Sequence, residues 1–220
     1  MTAGIQILND WGTVQVDDQW AGMSMRHKVQ CVIGTPADAA HAFKGTITIP
    51  AKTPIVFWRT GAPIFVLSSQ DNGDGTWTFT FQATEPTVSL IYVFDTPEWV
   101  VQNCGLEVFN AQGAKVFGDQ AAPLKLAAVV PIAALPFVWD EVFSWLPYGN
   151  YAVAVSDPGF RFDTYYEDVP KSAIWCCGAQ DLPKGGRCDW TLARDGFPLE
   201  MPAPVEYPAK LLILADVTGL

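Results

Sequence analysis

The chain has 220 residues, of which 50% are apolar and 16% charged, with nine Trp, six Tyr, thirteen Phe and a net charge of −10. That apolar content excludes a disordered chain, which cannot bury enough surface to offset the entropy of ordering. It suffices for one large β-domain or two of about 100 residues. Thirteen Lys and Arg against 23 Asp and Glu exclude binding to a nucleic-acid backbone, because that affinity depends on cationic side chains displacing counterions.

The first element is the stretch "GIQILNDWGTVQVDD" at residues 4–18. Ile5 and Ile7 alternate with Gln6, and Val14 and Val16 alternate with Thr13 and Gln15, so each arm has one apolar face. Between the arms, Asn9 and Gly12 have the spacing of a type I turn closed by a left-handed glycine. A hairpin with positive φ at Gly12 is predicted.

Five short strands follow, in "KGTITIP", "PIVFWRT", "PIFVLSS", "GTWTFTFQ" and "VSLIYVFD", each rich in β-branched and aromatic residues and punctuated by Pro, Gly or Asn-Gly-Asp-Gly. The best helical candidate, "PADAAHAFK" at residues 36–44, provides two turns at most. The expected class is all-β, of sandwich or small-barrel type.

At residues 105–119 the chain spells its opening again, as "GLEVFNAQGAKVFGD". The two copies align without a gap from Gly4 to Met25 and from Gly105 to Leu126, with six identities in 22 positions. Asn110 and Gly113 repeat the turn, and positive φ is predicted at Gly113. Weaker echoes keep the same order: Gly45 with Gly149, Trp77 with Trp190, and "SLIYVFD" with "KLLILAD", ending at Asp95 and Asp216. These patterns predict a tandem duplication: two related β-sandwich-like domains at residues 1–100 and 101–220, each opened by a hairpin. In the second, residues 156–208, rich in Pro and Gly and holding three Cys, read as a long irregular insertion.

The opening "MTAGIQILND" has no basic region leading into an apolar run, so no secretory signal is expected. The longest apolar run, Leu126 to Trp139, contains Pro131 and Pro136 and is too short to span a bilayer. These features predict cytoplasmic synthesis without membrane insertion. Five cysteines, an odd number, with Cys176 beside Cys177, do not form a secreted disulfide framework. Cys176, Cys177 and Cys188 are the candidate zinc thiolates, but vicinal cysteines make poor tetrahedral neighbours, and reduced thiols are expected.

Candidate chemistry is sparse. His27 and His41 stand in no triad or metal context. In "DNGDG", Gly73 and Gly75 occupy positions where a calcium loop needs oxygen ligands, so a hairpin turn is expected. The acidic pairs are sequence neighbours, which project to opposite faces of a strand. Neither a Gly-rich phosphate loop nor a nucleophile elbow is present. No catalysis, cofactor or metal is expected.

Aromatic density is the remaining signal, with eleven rings between Phe137 and Trp175. Core packing claims many of them. Tyr165, Tyr166, Trp175 and Trp190, in apparent loops, are the candidate interface residues, because rigid rings anchor protein interfaces at low entropic cost; stacking platforms for a glycan are the other reading.

The repeated hairpin, "GIQILNDWG" and "GLEVFNAQG", resembles the Gly-apolar-x-apolar-aromatic-Asn-x-x-Gly opening of small β-rich virion proteins of tailed bacteriophages, especially siphovirus-like tail-tip or tail-associated proteins. "SLIYVFD" is similar to the strand that closes such domains, while Gly118 departs from the acidic residue of the pattern. The resemblance implies a multi-copy structural component of the virion tail, made in the bacterial cytoplasm. It would act as an assembly adaptor against a tail hub, tube or fibre, and as a homo-oligomer in the particle. A receptor-binding module reading host surface glycan is the rival expectation, with a head decoration or fibre protein as a third.

Overall fold

A computed structural model describes residues 6–8, 14–17, 21–37, 42–99, 105–119, 121–132, 140–144, 146–156, 160–166, 170–198, 206–207 and 211–220. The protein is all-β, with no helix among the described residues. The first half contains β1 (Gln6–Leu8), β2 (Val14–Asp17), β3 (Ser24–Ile33), β4 (Thr35–Pro36), β5 (Phe43–Pro50), β6 (Ile55–Thr60), β7 (Ile64–Asp71), β8 (Thr76–Ala83) and β9 (Thr87–Asp95). The second half contains β10 (Glu107–Phe109), β11 (Lys115–Gly118), β12 (Leu126–Pro131), β13 (Asp140–Phe143), β14 (Tyr151–Val155), β15 (Phe160–Tyr166), β16 (Pro170–Leu182), β17 (Gly185–Pro198), β18 (Glu206–Tyr207) and β19 (Leu211–Asp216).

The two opening hairpins form separate two-stranded sheets with one register. Gln6 pairs with Asp17, Ile7 with Val16 and Leu8 with Val14; Glu107 pairs with Gly118, Val108 with Phe117 and Phe109 with Lys115. Each pair in the second hairpin lies 101 residues after its counterpart, and the register shift falls at the same step in both. In the second turn, the Asn110 side-chain oxygen accepts from the Gln112 and Ala114 N–H groups at 3.1 and 2.8 Å. Gly113 has φ of 77°, as the Asn-x-x-Gly spacing requires. Gly12 lies outside the described residues.

The other strands build two sheets around one core. One runs β12-β19-β14-β6-β9-β3, the other β13-β17-β16-β7-β8-β5-β4, with β15 and β18 attached through β16. Each order is nearly a palindrome: β3, β9 and β6 mirror β12, β19 and β14, and β5, β8 and β7 mirror β13, β17 and β16. The echo ending at Asp95 and Asp216 therefore falls on corresponding strands, β9 and β19. The Trp77 and Trp190 echo also reaches corresponding strands, β8 and β17, but in different register: Trp77 pairs with Asp71 beside the turn, whereas Trp190 pairs with Cys177 well back from it. The Gly45 and Gly149 echo fails, because Gly45 is in β5 and Gly149 leads into β14, the counterpart of β6.

The six-stranded sheet meets itself where β3 begins. Leu124 N–H donates to Met23 O at 2.9 Å, Met25 N–H donates to Ala122 O at 2.8 Å, and Ser24 bridges Pro123. Met23 and Leu124 are again 101 residues apart.

Local sequence explains the layers. β8, "TWTFTFQA", buries Phe79 and Phe81 inward, while Thr78 and Thr80 face Thr48 and Thr46 of β5 across hydroxyl contacts of 3.0 and 3.5 Å. β9 is buried on both faces through Ile91, Tyr92, Val93 and Phe94, hence its unbroken apolar run. Gly45 marks the closest approach of β5 to β3, since a Cβ there would lie 2.5 Å from Val32 O. His27 bonds the Pro50 carbonyl at 2.8 Å and so ties β3 to the end of β5.

Two expectations need correction. The helical candidate at residues 36–44 has strand at both ends: β4 ends at Pro36, Ala37 N–H donates to Ala42 O at 2.8 Å, and β5 begins at Phe43, while residues 38–41 lie outside the described residues. The predicted irregular insertion at residues 156–208 contains the longest strands of the protein, β16 and β17. Three of its prolines sit where strands tolerate them: Pro170 opens β16, Pro183 is in the turn and Pro198 closes β17.

Candidate functional site

The halves are joined by very little backbone. Within the six-stranded sheet, β14 and β6 pair only at Val153 and Trp58. Within the other, β16 and β7 pair only at Ala179 and Ile64. Trp58 pins the crossing point: its indole N–H donates to Ala179 O at 2.9 Å, and its ring meets Phe81 edge-on at 6.1 Å. From this pivot the seam runs in two directions.

In one direction it is locked by polar groups. Asp181 Oδ1 accepts from Thr60 N–H at 2.6 Å, and its Oδ2 accepts from Arg59 Nε at 3.2 Å. Arg59 Nη1 reaches Asn150 Oδ1 at 3.4 Å, and Gln180 Nε2 donates to Gly61 O at 2.9 Å. Burial works against the Arg59 charge, but the Asp181 carboxylate outweighs it and holds the guanidinium pKa above its ordinary value.

In the other direction the strands diverge around a cavity of about 550 Å³. Ile55, Val56, Trp58, Val66, Leu67 and Phe79 line it from the first half, and Ala154, Val155 and Ile213 from the second. Ser68, Ser69 and Ser156 contribute hydroxyls, and among the described residues no lining side chain is ionisable. The divergence has a local cause. Where β16 pairs with β17 the register shifts between Ser172 and Ile174 and again between Ile174 and Trp175, the extra residues lying on β17, and such bulges bend and twist the strands they join. β7 has its own shift between Val66 and Ser68, which leaves Leu67 39% exposed, while Ile55 is 42% exposed. From Leu67 to Asp71, β7 is exposed and pairs with β8 on one side; among the described residues no strand occupies the other.

A smaller cavity of about 260 Å³ lies beside the second hairpin, among Arg26, Glu98, Trp99, Lys115 and Asp119. Its cations are engaged: Arg26 pairs with Glu98, and Lys115 pairs with Glu107 while lying 5.1 Å from the Trp99 ring centre. These contacts clamp the hairpin to the residues that precede it.

Asp95 is the other buried carboxylate with a defined task. It accepts from the backbone N–H groups of Lys52, Thr53 and Thr96 at 2.6, 2.9 and 2.6 Å, and from the Thr53 hydroxyl at 3.2 Å. Burial pushes its pKa up, but these donors outweigh it and hold the carboxyl below its ordinary range.

Cys31, Cys176, Cys177 and Cys188 form no disulfide among the described residues, and burial raises Cys31 to about 11. Among the described residues no group of His, Cys, Asp and Glu could hold a metal ion. The "DNGDG" segment is a hairpin turn, with Gly73 and Gly75 at φ of 75° and 85° and Asp71 and Asp74 accepting backbone N–H bonds.

The four predicted interface residues lie in strands, not loops. Tyr165 pairs with Lys171, Tyr166 with Pro170, Trp175 with Arg161 and Leu192, and Trp190 with Cys177. Sequence reasoning missed Ile55 and Leu67. The available signal was in "PIFVLSSQD", where the apolar run stops at Leu67 although the strand continues to Asp71.

No protein-family profile, curated protein or solved structure matches this chain.

Proposed function

We propose that this chain is a structural component of a bacteriophage virion: a multi-copy tail-tip or tail-associated protein, made in the host cytoplasm, that works as an assembly adaptor rather than by catalysis. Its partners are other virion proteins, namely a hub, tube or fibre of the tail, together with further copies of itself. Its halves arose by tandem duplication, which the identical hairpin registers and palindromic sheet orders support. The observation carrying the adaptor reading is the seam. A rigid, shared core presents an uncharged cleft beside an open stretch of sheet edge, a surface suited to holding another polypeptide.

Protein composition and a density map of the purified phage particle test the reading. The expected result is several copies in the tail, each touching a neighbouring tail protein. Recovery of the chain only from the soluble fraction of infected cells, and never from particles, would overturn it.

A further inference from the structure

We infer that the cleft between the halves accepts an extended, uncharged segment of another virion polypeptide, added as a strand beside β7; the virion origin of that segment rests on the function proposed above. A sheet edge with unpaired N–H and C=O groups is a template for a further strand. Two of the protein's other edges are blunted. The second sheet ends in the two-residue β4 with Pro36, and the start of β3 is covered by residues 122–124. The edge from Leu67 to Asp71 has no such protection among the described residues. At about 3.3 Å per residue it offers about 16 Å, room for a strand of about five residues.

The walls define the chemistry of the occupant. In a chain of net charge −10, the cleft has no ionisable lining residue among the described residues. A charged segment would lose hydration there and gain no partner. Uncharged apolar side chains fit against Trp58, Phe79, Val66 and Ile213, and Leu67 and Ile55 extend the same apolar surface into solvent. A compact ligand would use the walls and ignore the edge, whereas an extended segment uses both.

The test uses the full chain and an acetylated, amidated heptapeptide of alternating Val and Thr with a fluorescent tag, read by anisotropy. Saturable binding is expected, together with slowed hydrogen exchange between Leu67 and Asp71. Leu67→Asp and Ile55→Asp, both at exposed positions and checked for folding by circular dichroism, should each weaken binding at least about tenfold. Val32→Asp, at a 65% exposed position outside the cleft lining, should leave it unchanged. A peptide N-methylated at alternate backbone positions, with the same side chains but no strand hydrogen bonds, should not bind. Equal binding of the N-methylated peptide would overturn strand addition in favour of a simple apolar pocket. Self-association of the native chain that Leu67→Asp abolishes would assign the cleft to a second copy and overturn the proposal. Absence of saturable peptide binding would overturn it as well. Peptide binding by a chain that is absent from particles would remove only the virion reading; the reverse pattern would remove only the strand site.

Discussion

The two ends of the seam start from the same pivot at Trp58 and finish differently. At the Asp181 end the halves are held by directed hydrogen bonds: a carboxylate accepts from a backbone N–H and a guanidinium, and a side-chain amide donates to a carbonyl. At the Leu67 end the same pairs of strands separate, and the gap is lined by apolar side chains and three serines. Polar bonding at one end fixes how the halves sit, which allows the other end to stay open without collapsing. The contrast teaches that the opening is held in place by structure, and that rigidity and availability have been given to opposite ends of one interface.

Breaking the pivot should damage both ends together. Trp58→Ala removes the largest fully buried side chain and its hydrogen bond across the halves, and should cost about 3–5 kcal/mol, measured by urea denaturation. Next in size is the lock. Asp181→Ala leaves Thr60 N–H and Arg59 without their carboxylate and should cost about 1–3 kcal/mol in the same assay, while leaving affinity for the cleft peptide within about twofold if the ends are separable.

Asp95 shows what a buried carboxylate contributes away from the seam. Its pKa is depressed in the folded state, so its contribution is present above the unfolded value of about 3.9 and is lost as pH falls through the folded value. Asp95→Asn should cost about 1 kcal/mol at neutral pH, and thermal melts should show the difference from the native chain shrinking below about pH 4. Gly113→Val forces a β-branched residue to positive φ and should cost about 1 kcal/mol; an unchanged melting temperature would remove the turn from the account. The smallest expected effect sharpens the comparison most: Leu67→Asp should change stability by no more than about 0.5 kcal/mol, as exposed positions usually do.

Much of the first half was legible because its strands alternate or run apolar between clear turn residues: "TWTFTFQ" and "VSLIYVFD" became β8 and β9 within a residue or two. The repeated hairpin was legible from Asn110 and Gly113, whose turn chemistry is local. β16 and β17 were not. "SAIWCCGAQ" mixes small residues with Cys and lacks the alternation of a half-buried strand, and its continuity depends on pairing with both β15 and β17. The cleft was illegible for a related reason. A strand's sequence states its propensity and faces, but whether its edge finds a partner depends on how a strand about a hundred residues away bends. Only the register shifts between β16 and β17 reveal that, and such bulges have no dependable sequence signature.

The most direct measurement is residue-resolved hydrogen exchange on the isolated chain. Alternate amides from Leu67 to Asp71 should exchange rapidly, because those pointing away from β8 have no acceptor, while Ile64, Phe79 and Phe81 stay protected. If all amides from Leu67 to Asp71 are as protected as those of Phe79 and Phe81, the edge is already occupied and the account of an open cleft is wrong.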